Sequence, residues 1–354
     1  MINYYLKING QIRKLYYRFL NFKSIKEYKN ILVKSNENYV VFHNPNWLGI
    51  TNSTKNIFKN TVGITELYST KLRKIIVNYI LKSNYKTVIF SGFCDGWINI
   101  IKDIKKENSK IKIKVIWHGS NALITETEDW NMYKLVLEMY QSKMVNQIVF
   151  VKKTMYDFYK EKGYNTYFLM NNVNIENKEQ FKNKKENDKI KLGLYSSGNR
   201  WVKNTYNQLS AISLVENSEL DCVAFDKKIS EFCKMHDIKL KGSSSFLKQN
   251  ELFKRMASND VNVYATFTEC APMLPLESFE LGVPCVSSNN HHYFKGTELE
   301  YFTVVTEPDN IKNIYDKIIL CLENKEKIMK LYRLWKKEYN IIVEKNIKEF
   351  LEQE

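Results

Sequence analysis

Three kinds of pattern are missing from this chain of 354 residues. None of its six cysteines stands in C-x-x-C spacing, which favours buried free thiols in a reducing compartment over disulfides or a zinc site. No apolar run reaches the length of a membrane span, and the N-terminus lacks the apolar core of a signal peptide. We therefore expect a cytoplasmic protein.

The chain does have an excess of positive charge. Its composition, 44% apolar and 26% charged, is that of a soluble globular protein long enough for two domains. The formal net charge is +15, and residues 1–36 carry eight Lys or Arg against one acid, Glu27, interleaved with aromatic and aliphatic residues. This pattern fits an amphipathic helix on an anionic membrane surface, and it equally fits a solvated helix packed on the domain by its apolar face. Nucleic-acid binding is less favoured, because the chain has no helix-turn-helix, zinc-finger or RNP-like motif.

Strand and helix patterns alternate along most of the remaining chain. Buried-strand patterns occur at 39–42, 87–90, 111–117, 147–151, 167–170, 190–195, 220–225, 260–267 and 283–288. Helical patterns lie between them, and two further helices are predicted at 311–323 and 325–349. This alternation predicts parallel, doubly wound sheets in an α/β fold.

The stretch 260–288 carries the most specific pattern. Its strand is followed by a loop with Glu269, then by a helix that we expect to start at Pro275 and to be capped by Gly282. Glu277 is expected in the first turn of that helix. Because ligands bind at the carboxyl ends of parallel strands, both carboxylates are candidate ligand contacts. The alternative is that Glu277 only offsets the helix dipole and that Glu269 is a solvated loop residue.

The same stretch resembles the signature of retaining GT-B glycosyltransferases of the family 4 type. That signature is Glu, seven residues, Glu, then a helix and Gly-x-Pro, and it is matched by Glu269, Glu277 and Gly282 with Pro284. The resemblance implies that Glu277 holds the donor ribose and that Glu269 faces the transferred sugar.

The phosphate-binding part of the motif departs from the family. A glycine usually follows the first Glu by three residues, and here the position is Pro272, which has no N–H to donate. The amides of Met273 and Leu274 are therefore expected to take over the donor phosphates.

Further residues match the family outside this stretch. His118 follows a predicted strand, at the place where the family has a histidine that points at the donor sugar across the cleft. The alternative is that His118 only forms hydrogen bonds with the backbone of its own loop. Arg200 and Lys203 match cations that face the donor pyrophosphate, with general surface basicity as the alternative. The residues around Gly242 correspond to those that bind the nucleotide base. In the family a Gly-Gly loop near donor phosphate and acceptor follows the first strand, and this chain has only Gly49 in the expected loop there.

The resemblance implies a GT-B architecture of two Rossmann-like domains that face a cleft. We expect a basic arm at 1–36, an acceptor domain at 37–173, a linker at 174–189, a donor domain at 190–330 and a final helix at 331–354 that packs on the first domain. The expected partners are a nucleotide sugar, in first place a UDP-sugar, and a glycan or lipid-linked acceptor in envelope polysaccharide synthesis. The resemblance also implies that no metal or other cofactor is needed, and the chain has no Asp-x-Asp motif. A nucleotide-sugar epimerase and a non-catalytic carbohydrate- or nucleic-acid-binding protein are the alternatives.

Overall fold

The computed structural model describes residues 15, 36–65, 70–125, 127–181, 189–196 and 199–353. The predicted basic arm therefore lies outside the described residues, apart from Leu15 and Asn36. The chain forms two compact units, Met1–Leu169 and Met170–Glu354.

The first unit is a six-stranded sheet with helices between its strands. The strands are β1 (Tyr39–His43), β2 (Thr61–Gly63), β3 (Thr87–Ser91), β4 (Lys112–Trp117), β5 (Gln147–Phe150) and β6 (Thr166–Phe168). The helices are α1 (Leu48–Ile57), α2 (Thr70–Lys82), α3 (Asp95–Glu107), α4 (Thr127–Gln141) and α5 (Lys153–Glu161). The strand order is β2-β1-β3-β4-β5-β6, and all neighbouring strands are parallel.

Apolar strands and the apolar faces of the helices form the core of this unit. Strands β1 and β4 are buried over nearly their whole length, as expected for a parallel sheet covered on both faces. Helix α3 buries Trp97, Ile100, Ile101 and Ile104, whose spacing of three and four residues places them on one face. The Trp97 ring lies 5.4 Å from that of Phe90 in the sheet.

The second unit is also a parallel six-stranded sheet. Its strands are β7 (Ile190–Leu194), β8 (Ser218–Val223), β9 (Leu240–Ser243), β10 (Val261–Tyr264), β11 (Cys285–Ser288) and β12 (Val304–Val305). Its helices are α6 (Thr205–Ser213), α7 (Lys227–Met235), α8 (Gln249–Ala257), α9 (Met273–Glu280), α10 (Glu298–Thr303), α11 (Ile311–Glu323) and α12 (Lys325–Glu352). The order β12-β11-β10-β7-β8-β9 is that of a Rossmann fold, with its topological switch point between β7 and β10.

The predicted fold class is confirmed, and three local predictions were wrong. Gly49 lies inside helix α1 rather than in a loop. Helix α9 begins at Met273, so Pro275 is its third residue and Glu277 lies beyond the first turn. The strand predicted to reach residue 267 ends at Tyr264.

The early end of β10 has a visible cause. The Gln208 side chain accepts a hydrogen bond from the Ala265 N–H (2.7 Å), and Asn204 donates to the Ala265 carbonyl (2.8 Å). Both backbone groups are thereby withdrawn from the sheet ladder. At the other end of the motif, Gly282 has φ +86°, as its predicted role as a helix cap requires.

The long final helix α12 packs within the second unit through its aromatic face. The Tyr332 ring stacks on Phe279 at 4.6 Å, and Trp335 lies 4.7 Å from Phe294. The Tyr339 hydroxyl donates to the Asn171 carbonyl at 2.7 Å. The prediction that this helix packs on the first domain stays a prediction.

Two sequence-based expectations about composition can be compared with the described residues. All six cysteines are buried and free, as predicted. None of the helices in the described ranges combines the length and apolarity needed to cross a bilayer.

Candidate functional site

The loops that follow β7 and β10 meet at the switch point of the second sheet. The β7 loop carries Arg200 and Lys203, and the β10 loop carries Glu269. In open parallel sheets this is the edge and the position where ligands bind.

A compact polar triad lies between these two loops. The Lys203 ammonium donates to Glu269 Oε1 at 2.6 Å and to the Tyr264 hydroxyl at 3.0 Å. The Tyr264 hydroxyl in turn donates to the same Glu269 oxygen at 2.8 Å. The Lys203 and Glu269 side chains are only 10% and 15% exposed, so each depends on the other for its charge to be tolerated.

Tyr264 is a residue that the sequence reasoning missed. Burial raises the pKa of its hydroxyl well above the usual range, and the Glu269 carboxylate raises it further, so Tyr264 stays a neutral donor. Its ring also lies 5.3 Å from the Lys203 ammonium, within cation–π distance. The available signal was its position as the last residue of a central strand, at the ligand-binding edge.

The loop that carries Lys203 is held by side chains of the following helix. Asn204 adopts a left-handed conformation (φ 54°), which turns the chain from a short 3₁₀ helix at Trp201–Lys203 into α6. Gln208 donates to the Lys203 carbonyl at 2.7 Å. The Phe267 N–H donates to the Val202 carbonyl at 2.9 Å, which ties the β7 loop to the β10 loop. The triad is therefore preorganised by backbone contacts.

Arg200 lies at the start of the same loop and is exposed. Its carbonyl accepts a hydrogen bond from the Lys203 N–H at 2.9 Å. The two predicted cations thus share one turn, with Lys203 turned inward to Glu269 and Arg200 on the solvent side.

Glu277 occupies a different environment on helix α9. Burial raises its pKa to about 7, and a hydrogen bond from Gln249 opposes the shift. A carboxyl group with this pKa can accept or donate a hydrogen bond near neutral pH, which suits contact with a pair of hydroxyls. Both Glu269 and Glu277 also raise the pKa of Tyr293, after burial, so the two glutamates act electrostatically on the same buried phenol.

Helix α9 presents its first amides from Met273 and Leu274, both half-buried. Pro272 is its N-cap residue, and no side chain caps the helix. The first amides of a helix have no intrahelical acceptor and attract anions. The departure of this chain from the family motif is thus compatible with a phosphate site.

Gly242 has a structural reason to be glycine. Its φ is +116°, and a Cβ at this position would lie 1.9 Å from the carbonyl oxygen of Cys222 on the paired strand β8. The backbone geometry of β9 therefore excludes any side chain here, whether or not the residue also contacts a ligand.

In the first unit, the predicted residue His118 belongs to a hydrogen-bonded chain. Its Nε2 lies 2.9 Å from Ser91 Oγ, which lies 2.7 Å from Thr54 Oγ1. Burial lowers the pKa of His118 to about 4, so the imidazole is neutral at physiological pH.

A second histidine nearby was missed by the sequence reasoning. His43 ends β1, and its Nδ1 lies 3.0 Å from Thr51 Oγ1. Burial, with a smaller effect of Lys55, lowers its pKa to about 4. Strands β1 and β3 are neighbours at the switch point of this sheet, so the polar residues His43 and Ser91 mark its ligand-binding edge. The signal in the sequence was a polar residue at the end of each apolar strand.

A sequence comparison finds a family match in the second half of the chain. Residues 176–338, somewhat less than half of the chain, match the family described as glycosyl transferases group 1. This segment is therefore similar to the glycosyl transferases group 1 family. It contains the whole triad, both glutamates and both predicted cations. No curated protein sequence matches the chain significantly.

Solved structures of glycosyltransferases share the fold of the chain. HepE (Alr3699) from Anabaena, in complex with UDP, is similar with a TM-score of 0.64 at 10% identity, over 88% of this chain and 99% of that one. A glycosyltransferase from Rickettsia africae gives 0.60 at 13% identity, over 90% and 100%. Sucrose-phosphate synthase from Thermosynechococcus elongatus gives 0.59 at 11% identity, over 88% and 86%. The fold of this chain is therefore the GT-B fold of these glycosyltransferases.

Within the described ranges, no group of three or more His, Cys, Asp or Glu side chains is arranged to hold a metal ion. The two predicted cations, Arg200 and Lys203, both lie on the loop that follows β7 at the switch point.

Proposed function

We propose that the protein is a retaining glycosyltransferase that moves a sugar from a nucleotide diphosphate sugar, in first place a UDP-sugar, to an acceptor hydroxyl. The observation that carries the proposal is the Lys203–Glu269–Tyr264 triad at the switch point of the second sheet, within the segment that matches the glycosyl transferases group 1 family. HepE, which shares the fold, has been solved with UDP and with UDP-glucose, and this supports a uridine donor.

In this proposal the second unit binds the donor. Glu277 holds the ribose hydroxyls, the residues around Gly242 contact the base through backbone, and Glu269 faces the transferred sugar. A lysine ammonium has three N–H donors, and two of those of Lys203 are directed at Glu269 and Tyr264. The third is proposed to reach a donor phosphate.

Departure of the nucleoside diphosphate concentrates negative charge on its terminal phosphate. The bond between the anomeric carbon and the phosphate oxygen breaks as the acceptor oxygen bonds to the same face of the sugar, and the acceptor proton passes to the leaving phosphate. Arg200, Lys203 and the amides of Met273 and Leu274 are the groups that stabilise this charge. No side chain is assigned as a covalent nucleophile.

The first unit is proposed to present the acceptor. We propose that this unit contributes His118 as a hydrogen-bond partner for a sugar hydroxyl. The imidazole is neutral, because burial keeps its pKa near 4. A neutral imidazole offers one donor and one acceptor.

The experiment is a turnover assay with UDP-, GDP-, ADP- and CMP-sugars, with and without glycan acceptors, in EDTA-containing buffer. We expect one donor to be consumed by the wild type and turnover to be lost in Glu269→Gln. NMR should show that the product keeps the anomeric configuration of the donor. Acceptor-independent conversion of the donor sugar would instead identify an epimerase, and binding without turnover would identify a non-catalytic protein. Dependence of turnover on added Mg²⁺ would contradict the assignment of the phosphate charge to protein cations.

The acceptor is proposed to be a lipid-linked or envelope glycan, such as one of a capsule, lipopolysaccharide or teichoic acid. The sequence of residues 1–36, basic and rich in aromatic and aliphatic side chains, supports this together with peripheral binding to the inner face of the plasma membrane. Cosedimentation of the full chain with phosphatidylglycerol vesicles tests it. Equal sedimentation with phosphatidylcholine vesicles, or with neither, would contradict it.

A further inference from the structure

An aromatic pair next to the triad has no role in the proposed chemistry. Trp201 is 55% exposed, although tryptophan is a large apolar side chain. Its ring lies 6.3 Å from that of half-buried Phe267, with an angle of 31° between the ring planes. Together the two rings form a small aromatic surface, which we call the Trp201–Phe267 platform.

The platform lies within two residues of the ion pair on both loops. Three contacts join the loops in sequence: the rings of Trp201 and Phe267, the backbone of Val202 and Phe267 at 2.9 Å, and the side chains of Lys203 and Glu269 at 2.6 Å. The same two loop segments therefore carry both the platform and the ion pair.

The platform is mounted rigidly. Trp201 is the first residue of the 3₁₀ helix, and the next residue, Val202, is 2% exposed and anchors that helix in the core. The turn closes through the Lys203 N–H to the Arg200 carbonyl at 2.9 Å. A ring held in this way contacts a ligand at low entropic cost, and tryptophan is enriched where binding energy concentrates.

Two flat ligands could stack on such rings, a nucleobase or the apolar face of a pyranose. The predicted base site near Gly242 is on β9, the second strand from β7, and adjacent parallel strands are about 4.8 Å apart. The platform is instead at β7 and β10, beside a carboxylate that suits sugar hydroxyls. The position favours the pyranose.

We propose that Trp201 and Phe267 form a stacking subsite for a pyranose ring, supplied by either the donor or the acceptor. The subsite rests on the proposed function for its catalytic meaning, but its ligand chemistry can be tested without turnover. Trp201 then determines which sugars are accepted, because axial substituents on the stacked face would be excluded.

The direct test is ¹⁹F NMR of the full chain labelled with 5-fluorotryptophan. The chain has six tryptophans, and the Trp201 resonance is assigned with Trp201→Phe. If the donor supplies the ring, we expect this resonance to shift with a nucleotide sugar but not with the matching nucleotide. If the acceptor supplies it, we expect the resonance to shift with free glycan. A shift with nucleotide alone, or no shift with any of the three ligands, would overturn the proposal.

Kinetics give a second readout. Trp201→Ala should raise the KM of the sugar ligand by about 5- to 160-fold, the range found for one base stacked on an aromatic side chain, and Trp201→Phe should restore part of the loss. The matched control is Trp130→Ala, since Trp130 is a similarly exposed (49%) tryptophan of the first unit. Unchanged KM in Trp201→Ala, or an equal rise in Trp130→Ala, would contradict the proposal. If no donor is consumed by wild type while glycans still shift the Trp201 resonance, the proposed function fails and the subsite stands.

Discussion

The ion pair between Lys203 and Glu269 offers the sharpest test of the site, because two substitutions of one residue separate stability from activity. Glu269→Ala leaves the Lys203 ammonium without its carboxylate. Removing one partner of a buried ion pair costs about 3–5 kcal/mol. Here the side chains retain 10% and 15% exposure, and the Tyr264 hydroxyl still accepts from the ammonium, so we expect about 2 kcal/mol.

Glu269→Gln behaves differently, since its amide oxygen can still accept a hydrogen bond from Lys203. We expect it to lower the free energy of unfolding by less than about 1 kcal/mol. For a unit of this size, a loss of about 2 kcal/mol lowers Tm by about 4–8 °C. Both substitutions should nevertheless abolish most sugar transfer, because both remove the carboxylate that we propose faces the sugar.

The assay is thermal unfolding followed by circular dichroism, with turnover measured on the same preparations. A double-mutant cycle with Lys203→Met then gives the coupling energy, which we expect to be about 1–3 kcal/mol. If neither Glu269 variant is destabilised, the pair does not bear the charge balance inferred for it, and equal destabilisation would show that the hydrogen bond retained by glutamine does not compensate for the lost charge. Full activity in Glu269→Gln would refute the assigned role of the carboxylate.

Three further predictions concern other parts of the two units. Ser91→Ala should lower kcat/KM by about 10-fold, with a stability loss of about 1–2 kcal/mol. If Ser91 acts by positioning the His118 imidazole, adding His118→Ala should cause little further loss of activity. Burial raises the pKa of Glu277 from 4.5 to about 7, so the wild type should lose about 3 kcal/mol of stability as pH rises through this window. Urea unfolding of Glu277→Gln should show a flatter dependence of stability on pH, and equal slopes in the two proteins would contradict the burial of Glu277 as a neutral acid. Gly242→Ala should lower Tm strongly, because a Cβ there overlaps a backbone carbonyl. The control Gly163→Ala, also at positive φ but in open space, should cost only about 1 kcal/mol of stability, and an equal loss of stability in both variants would show that β9 relaxes around the added Cβ.

Most of the fold followed from local pattern. Apolar runs such as Tyr39–Phe42 are buried on both faces of a parallel sheet, and helix α11 has the bounds that its periodicity predicts. The early end of β10 is a long-range effect. Nothing near Ala265 indicates that Gln208, more than fifty residues earlier, captures its N–H and ends the strand.

In the candidate site, too, the features set by local sequence were predictable and those set by long-range packing were not. The Glu269 and Glu277 positions were predictable because a motif fixes their spacing and the strand–helix context fixes the edge of the sheet. The pairing of Lys203 with Glu269, 66 residues apart, and the contribution of Tyr264 depend on which strands become neighbours. That order results from packing of the whole unit, which the residues around each strand do not encode locally.

We propose that the second unit grips an activated sugar through Lys203 and the two glutamates. The most direct measurement is the ligand-induced Tm shift with UDP-, GDP-, ADP- and CMP-sugars, for wild type and Lys203→Met, each against its own ligand-free Tm. At about 100 times Kd a ligand adds about 2.7 kcal/mol to stability, so we expect a rise of about 5–10 °C for one nucleotide class in wild type and none in Lys203→Met. No shift with any donor in wild type, or equal shifts in both proteins, would contradict the claim.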